Sequence, residues 1–144
     1  LTYKESCFIM AMLEKGTIFR IKESTKMHRG SVGFRTKQKM FLALNDAEYE
    51  DDYVVSLVLN TEVHIEENGC HRHRNKYIIP PGICACITNI THIQTIEESY
   101  FRLDTILENG NEIHCTISST EFSRIYNCLD KNNFLLKADN ILGW

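Results

Sequence analysis

The chain has 144 residues, enough for one domain around one core. Apolar residues make up 43% and charged residues 24%, a balance that excludes a disordered chain. The net charge is −3, so no overall field draws the protein to nucleic acid, and a nucleic-acid site would have to be a local basic patch.

In chain order, the apolar run Cys7–Leu13 is too short to span a membrane. It runs into Glu14-Lys15 without the small-residue cleavage site of a signal peptide. The sequence opens on Leu1 and carries Met10 and Met12. Residues 1–14 are therefore set apart, with a native start expected near Met10, and the domain is read as 15–144. Gly16–Lys22 alternates and predicts a first strand. Glu23–Lys39 is polar and predicts a long loop. Within it His28, Arg29, Arg35, Lys37 and Lys39 crowd together with no acid among them, one basic patch; Arg72, Arg74 and Lys76 make a second.

Met40–Leu44 predicts a second strand ended by Asn45-Asp46. Val54–Leu59 predicts a third, its unbroken apolar run suiting burial on both faces, with Asn60–Ile65 as a possible continuation. Glu66–Asn75 predicts a polar loop, and Lys76–Ile79 a strand stopped by Pro80-Pro81-Gly82. Ile83–Asn89 and His92–Ile96 predict two more strands. Leu103–Leu107 and Glu112–Ile117 flank Asn109-Gly110, a pair that favours the positive backbone angles of a tight hairpin turn. Ser118 with Glu121 fits a capping box. Phe122, Ile125, Tyr126 and Leu129 then recur at helical spacing and predict a helix over Ser119–Leu129 with one apolar face. The tail Asn133–Trp144 is apolar enough to dock on the domain or on a partner. Short strands closed off by one late helix predict a mainly β fold, a small barrel capped by that helix.

Six cysteines occur without an export signal, and free buried thiols packed as small hydrophobes are expected. Cys84 and Cys86, two apart in an expected strand, would face one side. Cys70-His71-Arg72-His73 taken with Cys84-x-Cys86 offers zinc-type ligands but lacks the spacing of a structural zinc site, so His71–Arg74 are read as a polar loop and no metal is expected. No phosphate-cradling Gly-rich loop, nucleophile elbow or H-E-x-x-H is present, which argues against nucleotide hydrolysis, triad hydrolysis and zinc peptidase chemistry.

Gly16–Ile21, the His28–Lys39 loop, Met40–Asp46 (MFLALND), Leu57–Thr61 (LVLNT) and Ile93–Glu97 (IQTIE) follow one another in an order and spacing that resembles the PemK/MazF family of toxin endoribonucleases. The resemblance covers roughly residues 15–103. It implies an SH3-like barrel, with the 103–117 hairpin as an addition and the helix after Ser118 as the family's closing helix. It also implies metal-independent cleavage of single-stranded RNA by 2′-hydroxyl attack, leaving a cyclic phosphate and a 5′-hydroxyl. That reaction needs a base, an acid and a cation for the developing charge.

The resemblance assigns His28 and Arg35 to catalysis, with Arg29 a rival to Arg35 and Gln38 in the Arg position in strict register. Thr61 matches a hydroxyl near the phosphate. Asn89 and Thr91 stand where some members carry a catalytic Arg and Asp, and neither supplies a cation or a carboxylate. His92 beside them suits proton transfer near neutrality. The expected catalytic set is His28, Arg35, Thr61 and His92, with Arg29, Lys37, Gln38, Lys39, Arg72 and Arg74 holding RNA. No cofactor is expected. The resemblance implies a cytoplasmic homodimer silenced by a cognate antitoxin protein, with no membrane association. The alternative is a catalytically inactive SH3-like module that binds protein or RNA.

Overall fold

The computed structural model describes residues 12–22 and 39–144. His28, Arg29, Arg35, Lys37 and Gln38 lie outside the described residues, as do Cys7 and Met10. The described chain is mainly β: β1 Thr17–Ile21, β2 Lys39–Ala43, β3 Tyr53–Thr61, β4 Gly69–His71, β5 Lys76–Ile79, β6 Thr91–Gln94, β7 Ser99–Arg102 and β8 Glu112–Thr116. Three α-helices join them: α1 Leu103–Ile106, α2 Ser119–Cys128 and α3 Leu136–Leu142.

All strands pair antiparallel in one sheet, in the order β4-β5-β6-β3-β2-β1-β8. β3 organises it. Its 9 residues are long enough to hold two partners along one edge, β6 against Leu59–Thr61 and β7 against Tyr53–Ser56. As its unbroken apolar run predicts, β3 is buried on both faces. Val55, Leu57 and Leu59 join a core cluster roofed by α2 and α3, whereas Val54 and Val58 join a second cluster on the opposite face. The second cluster centres on Phe19, Phe41 and Phe101, with Phe41 and Phe101 edge-to-face at 4.9 Å between ring centres. Aromatic pairs of this geometry add about 0.5–1.5 kcal/mol beyond the burial of their surface.

α2 forms where its cap and apolar face predict. The Ser118 Oγ accepts a bond from the Glu121 amide at 3.2 Å, and Phe122, Ile125 and Cys128 are buried. The reciprocal half of the capping box is given up: the Glu121 carboxylate instead accepts a bond from the Tyr77 hydroxyl at 3.0 Å. The apolar tail docks on the domain as α3, with Phe134 and Ala138 buried and the Leu135 amide bonded to the buried carboxylate of Glu98 at 2.7 Å.

Three expectations are corrected. The sheet is not a closed barrel; among the described residues β4 and β8 end it at opposite edges. The 103–117 hairpin does not form, because Leu103 and Ile106 bury as a helical turn under the second cluster, and β8 pairs with β1. The Asn109-Gly110 turn is present, with Gly110 at φ +94°, but it leads from α1 into β8. Ile83–Asn89 is not a strand; the Gly82 amide donates to the Ile87 carbonyl at 3.0 Å and closes a compact turn.

The thiol expectation also fails. Cys70 is bonded to Cys128 and Cys84 to Cys115. Cys70–Cys128 ties the short edge strand β4 to the end of α2, a contact of two distant chain segments that local spacing does not encode. Among the described residues Cys86 is the one cysteine outside a disulfide.

Candidate functional site

The alternation of side chains along paired strands decides what meets at the end of β3. Leu59 pairs with Ile93, Asn60 with His92, and Thr61 with Thr91. Leu59 and Ile93 face the helix side, so Thr61 and Thr91 share that face while Asn60 and His92 turn to the other. Thr61, Thr91 and Asn60 border a cleft of about 320 Å³, lined also by Arg20, Lys39, Met40 and Leu59. Among the described residues, two cations and three neutral hydrogen-bonding side chains line this cleft, with no carboxylate. That composition suits an anion whose oxygens need several donors. The Lys39 ammonium donates to the Asn60 side-chain oxygen, and the Thr91 hydroxyl donates to the Asn89 carbonyl at 2.9 Å.

Beside the cleft stands a buried ionic cluster. Glu62 follows directly on β3, its amide bonded to the Ile90 carbonyl at 2.8 Å. Its carboxylate is buried, accepting the His64 amide at 2.7 Å and the Ile65 amide at 3.3 Å on one oxygen and the Lys76 ammonium at 3.0 Å on the other. The backbone bond from His64 leads these contacts, with Lys76 next, and together they pull the Glu62 carboxyl down to about 2. His92 Nδ1 lies 3.2 Å from the same oxygen that Lys76 holds, at ion-pair distance but off the line of a hydrogen bond. Burial lowers the His92 pKa, the Lys76 charge adds to this, and the Glu62 charge opposes it without prevailing. These contacts favour the neutral imidazole, the form that can accept a proton.

The expected site residues divide. Lys39 and Thr61 line the cleft, whereas His92 is not in its lining and pairs with Asn60 on the neighbouring strand. Arg72 and Arg74 do not join them. They sit in a 3₁₀ turn after β4, with β5 and β6 between them and β3, and the Arg72 guanidinium donates to the Asn127 carbonyl at 2.9 Å. Arg20, Asn60, Glu62 and Lys76 were not among the expected residues. A signal for Arg20 lay in the alternation of β1, which puts a cation among apolar neighbours; Lys76 stood in the second basic patch of the sequence, but the sheet register alone joins it and Glu62 to His92. A larger cleft, about 440 Å³, lies between Asn45-Asp46 and α2–α3, lined by Lys15, Asp46, Ser123, Tyr126, Asn127 and apolar side chains. It gathers no comparable acid–base group, because the Lys15 amide is bonded to Asp46 and its ammonium lies over the Phe122 ring.

No protein-family model, no curated protein and no solved structure matches this chain.

Proposed function

We propose that this protein is a toxin-like, metal-independent endoribonuclease of the PemK/MazF kind, built on an SH3-like arrangement of strands. The observation that carries the reading is the cationic cleft at the start of β2 and the end of β3, with a buried histidine 3.2 Å from an ionised carboxylate in the cluster next to it. In this reading Arg20, Lys39, Asn60 and Thr61 hold a phosphate of single-stranded RNA. His92 takes the proton of the ribose 2′-hydroxyl, and the charge of Glu62 stabilises the imidazolium that forms. His28 and Arg35, or Arg29, supply the acid and the cation for the phosphorane, and Lys37 and Gln38 extend the grip on the strand. A homodimer and an acidic antitoxin tail filling the same cleft belong to this reading, since an acidic peptide mimics phosphate charge. So does a cytoplasmic setting, which requires the cystines to be reduced at steady state.

Incubation of the purified chain with a long single-stranded RNA in EDTA, followed by end-group analysis, tests the reading. Discrete cuts bearing cyclic phosphate and 5′-hydroxyl ends are expected, slowed about 10²-fold or more in His92→Ala. Intact RNA, or equal cleavage by His92→Ala, refutes it. A second reading, a binding module without catalysis, is favoured by one observation: the Thr91 hydroxyl is spent on its own loop where a catalytic carboxylate would stand. It predicts RNA retention without cleavage, weakened by Lys39→Ala.

A further inference from the structure

We infer that Cys84, Cys86 and Cys115 form a thiolate site for zinc in the reduced protein. The inference does not depend on the ribonuclease reading. The three sulfurs all lie within 4.8 Å of one another, and those of Cys84 and Cys86 are 3.1 Å apart. Zinc bound tetrahedrally at about 2.3 Å from each sulfur sets its ligands roughly 3.8 Å apart, inside that span.

Backbone contacts hold the three positions independently of the cystine. The turn carrying Cys84 and Cys86 is closed by the Gly82 amide on the Ile87 carbonyl at 3.0 Å and the Ile87 amide on the Cys84 carbonyl at 2.9 Å. Cys115 pairs with Ile18 at a bulge between β8 and β1. Cys84 is buried while Cys86 and Cys115 are partly exposed, so the cluster opens to solvent on one side, as a metal with a water in its fourth position requires. Three thiolates around a divalent ion leave one net negative charge.

The cystine is the oxidised form of this site. Two molecules of a small thiol such as glutathione give up two electrons and two protons to the Cys84–Cys115 bond, leaving two cysteine thiols and one small-molecule disulfide. The three thiols then release three protons as zinc binds.

The test uses the full chain, reduced with a phosphine and titrated with Co(II) as a spectroscopic stand-in and then with zinc. One equivalent is expected, with thiolate-to-cobalt charge-transfer absorption that zinc abolishes, and with zinc shielding Cys86 from alkylation. Cys86→Ser, which leaves both cystines intact, is expected to weaken binding at least tenfold. The double variant Cys70→Ser/Cys128→Ser is expected to bind as the parent does. The inference is overturned by equal binding in the unreduced protein, by Cys86→Ser binding within tenfold of the parent, by loss of binding in the double variant, or by a reduced chain that stays unfolded or unliganded with metal present.

Discussion

Opening the Cys70–Cys128 bond gives a stability change whose size follows from where the two residues sit. They are 58 residues apart, and the bond closes that loop in the unfolded chain as well as in the folded one. Loop-closure entropy for such a separation corresponds to about 4 kcal/mol at 25 °C. The folded state gives little of this back, because β4 has just 3 residues and its remaining ladder partner is β5. Cys70→Ser/Cys128→Ser is therefore expected to lower the urea unfolding free energy by about 4 kcal/mol. Amide exchange should rise first at Gly69–His71, the edge the bond anchors. The assay is urea unfolding of parent and double variant without reductant, with mass spectrometry confirming the cystine in the parent. A loss below about 1 kcal/mol, or alkylatable thiols at both positions in the unreduced parent, would refute the reasoning.

Two further outcomes follow from the core and the ionic cluster. Glu62 stands at about 2 when folded against an ordinary 4.5, so its contribution to stability is complete above pH 4.5 and is lost as pH falls toward 2. His92 is depressed below 6.5, so the folded state loses further stability as pH falls through that value, the unfolded chain binding the proton first. Urea midpoints measured against pH should decline on the acid side, and Glu62→Gln should flatten the part below pH 4.5; an unchanged slope in that variant would show that Glu62 is not the titrating group. Phe101→Ala removes a fully buried ring from contact with Phe19 and Phe41 and is expected to cost about 3–5 kcal/mol. Thermal or urea unfolding checks it, and a loss under about 1.5 kcal/mol would mean that the second cluster closes over the gap.

Where local pattern dominates, the sequence by itself determined the structure. The alternation of Thr17–Ile21, the apolar run of β3, the strand before Pro80 and the capped helix after Ser118 are set by side-chain periodicity and turn chemistry within each segment. Short segments whose state depends on what covers them were decided by tertiary structure. Leu103–Ile106 reads as a strand by its apolar content, yet it closes as a helical turn because Leu103 and Ile106 must both reach the Phe19–Phe41–Phe101 cluster. β4 and β7 were absent from the pattern, since 3 or 4 residues hold too little periodicity to be read until a neighbouring strand pairs with them. In the candidate site the sequence supplied Thr61, His92 and Lys39. The register of β3 against β6 separated Thr61 from His92 across the sheet and brought Glu62 and Lys76 to the histidine. The sulfur chemistry was likewise tertiary: six cysteines are visible in any reading, but which ones meet depends on β8 returning to β1 and on α2 lying over β4, contacts between residues far apart in the chain that only the folded backbone creates.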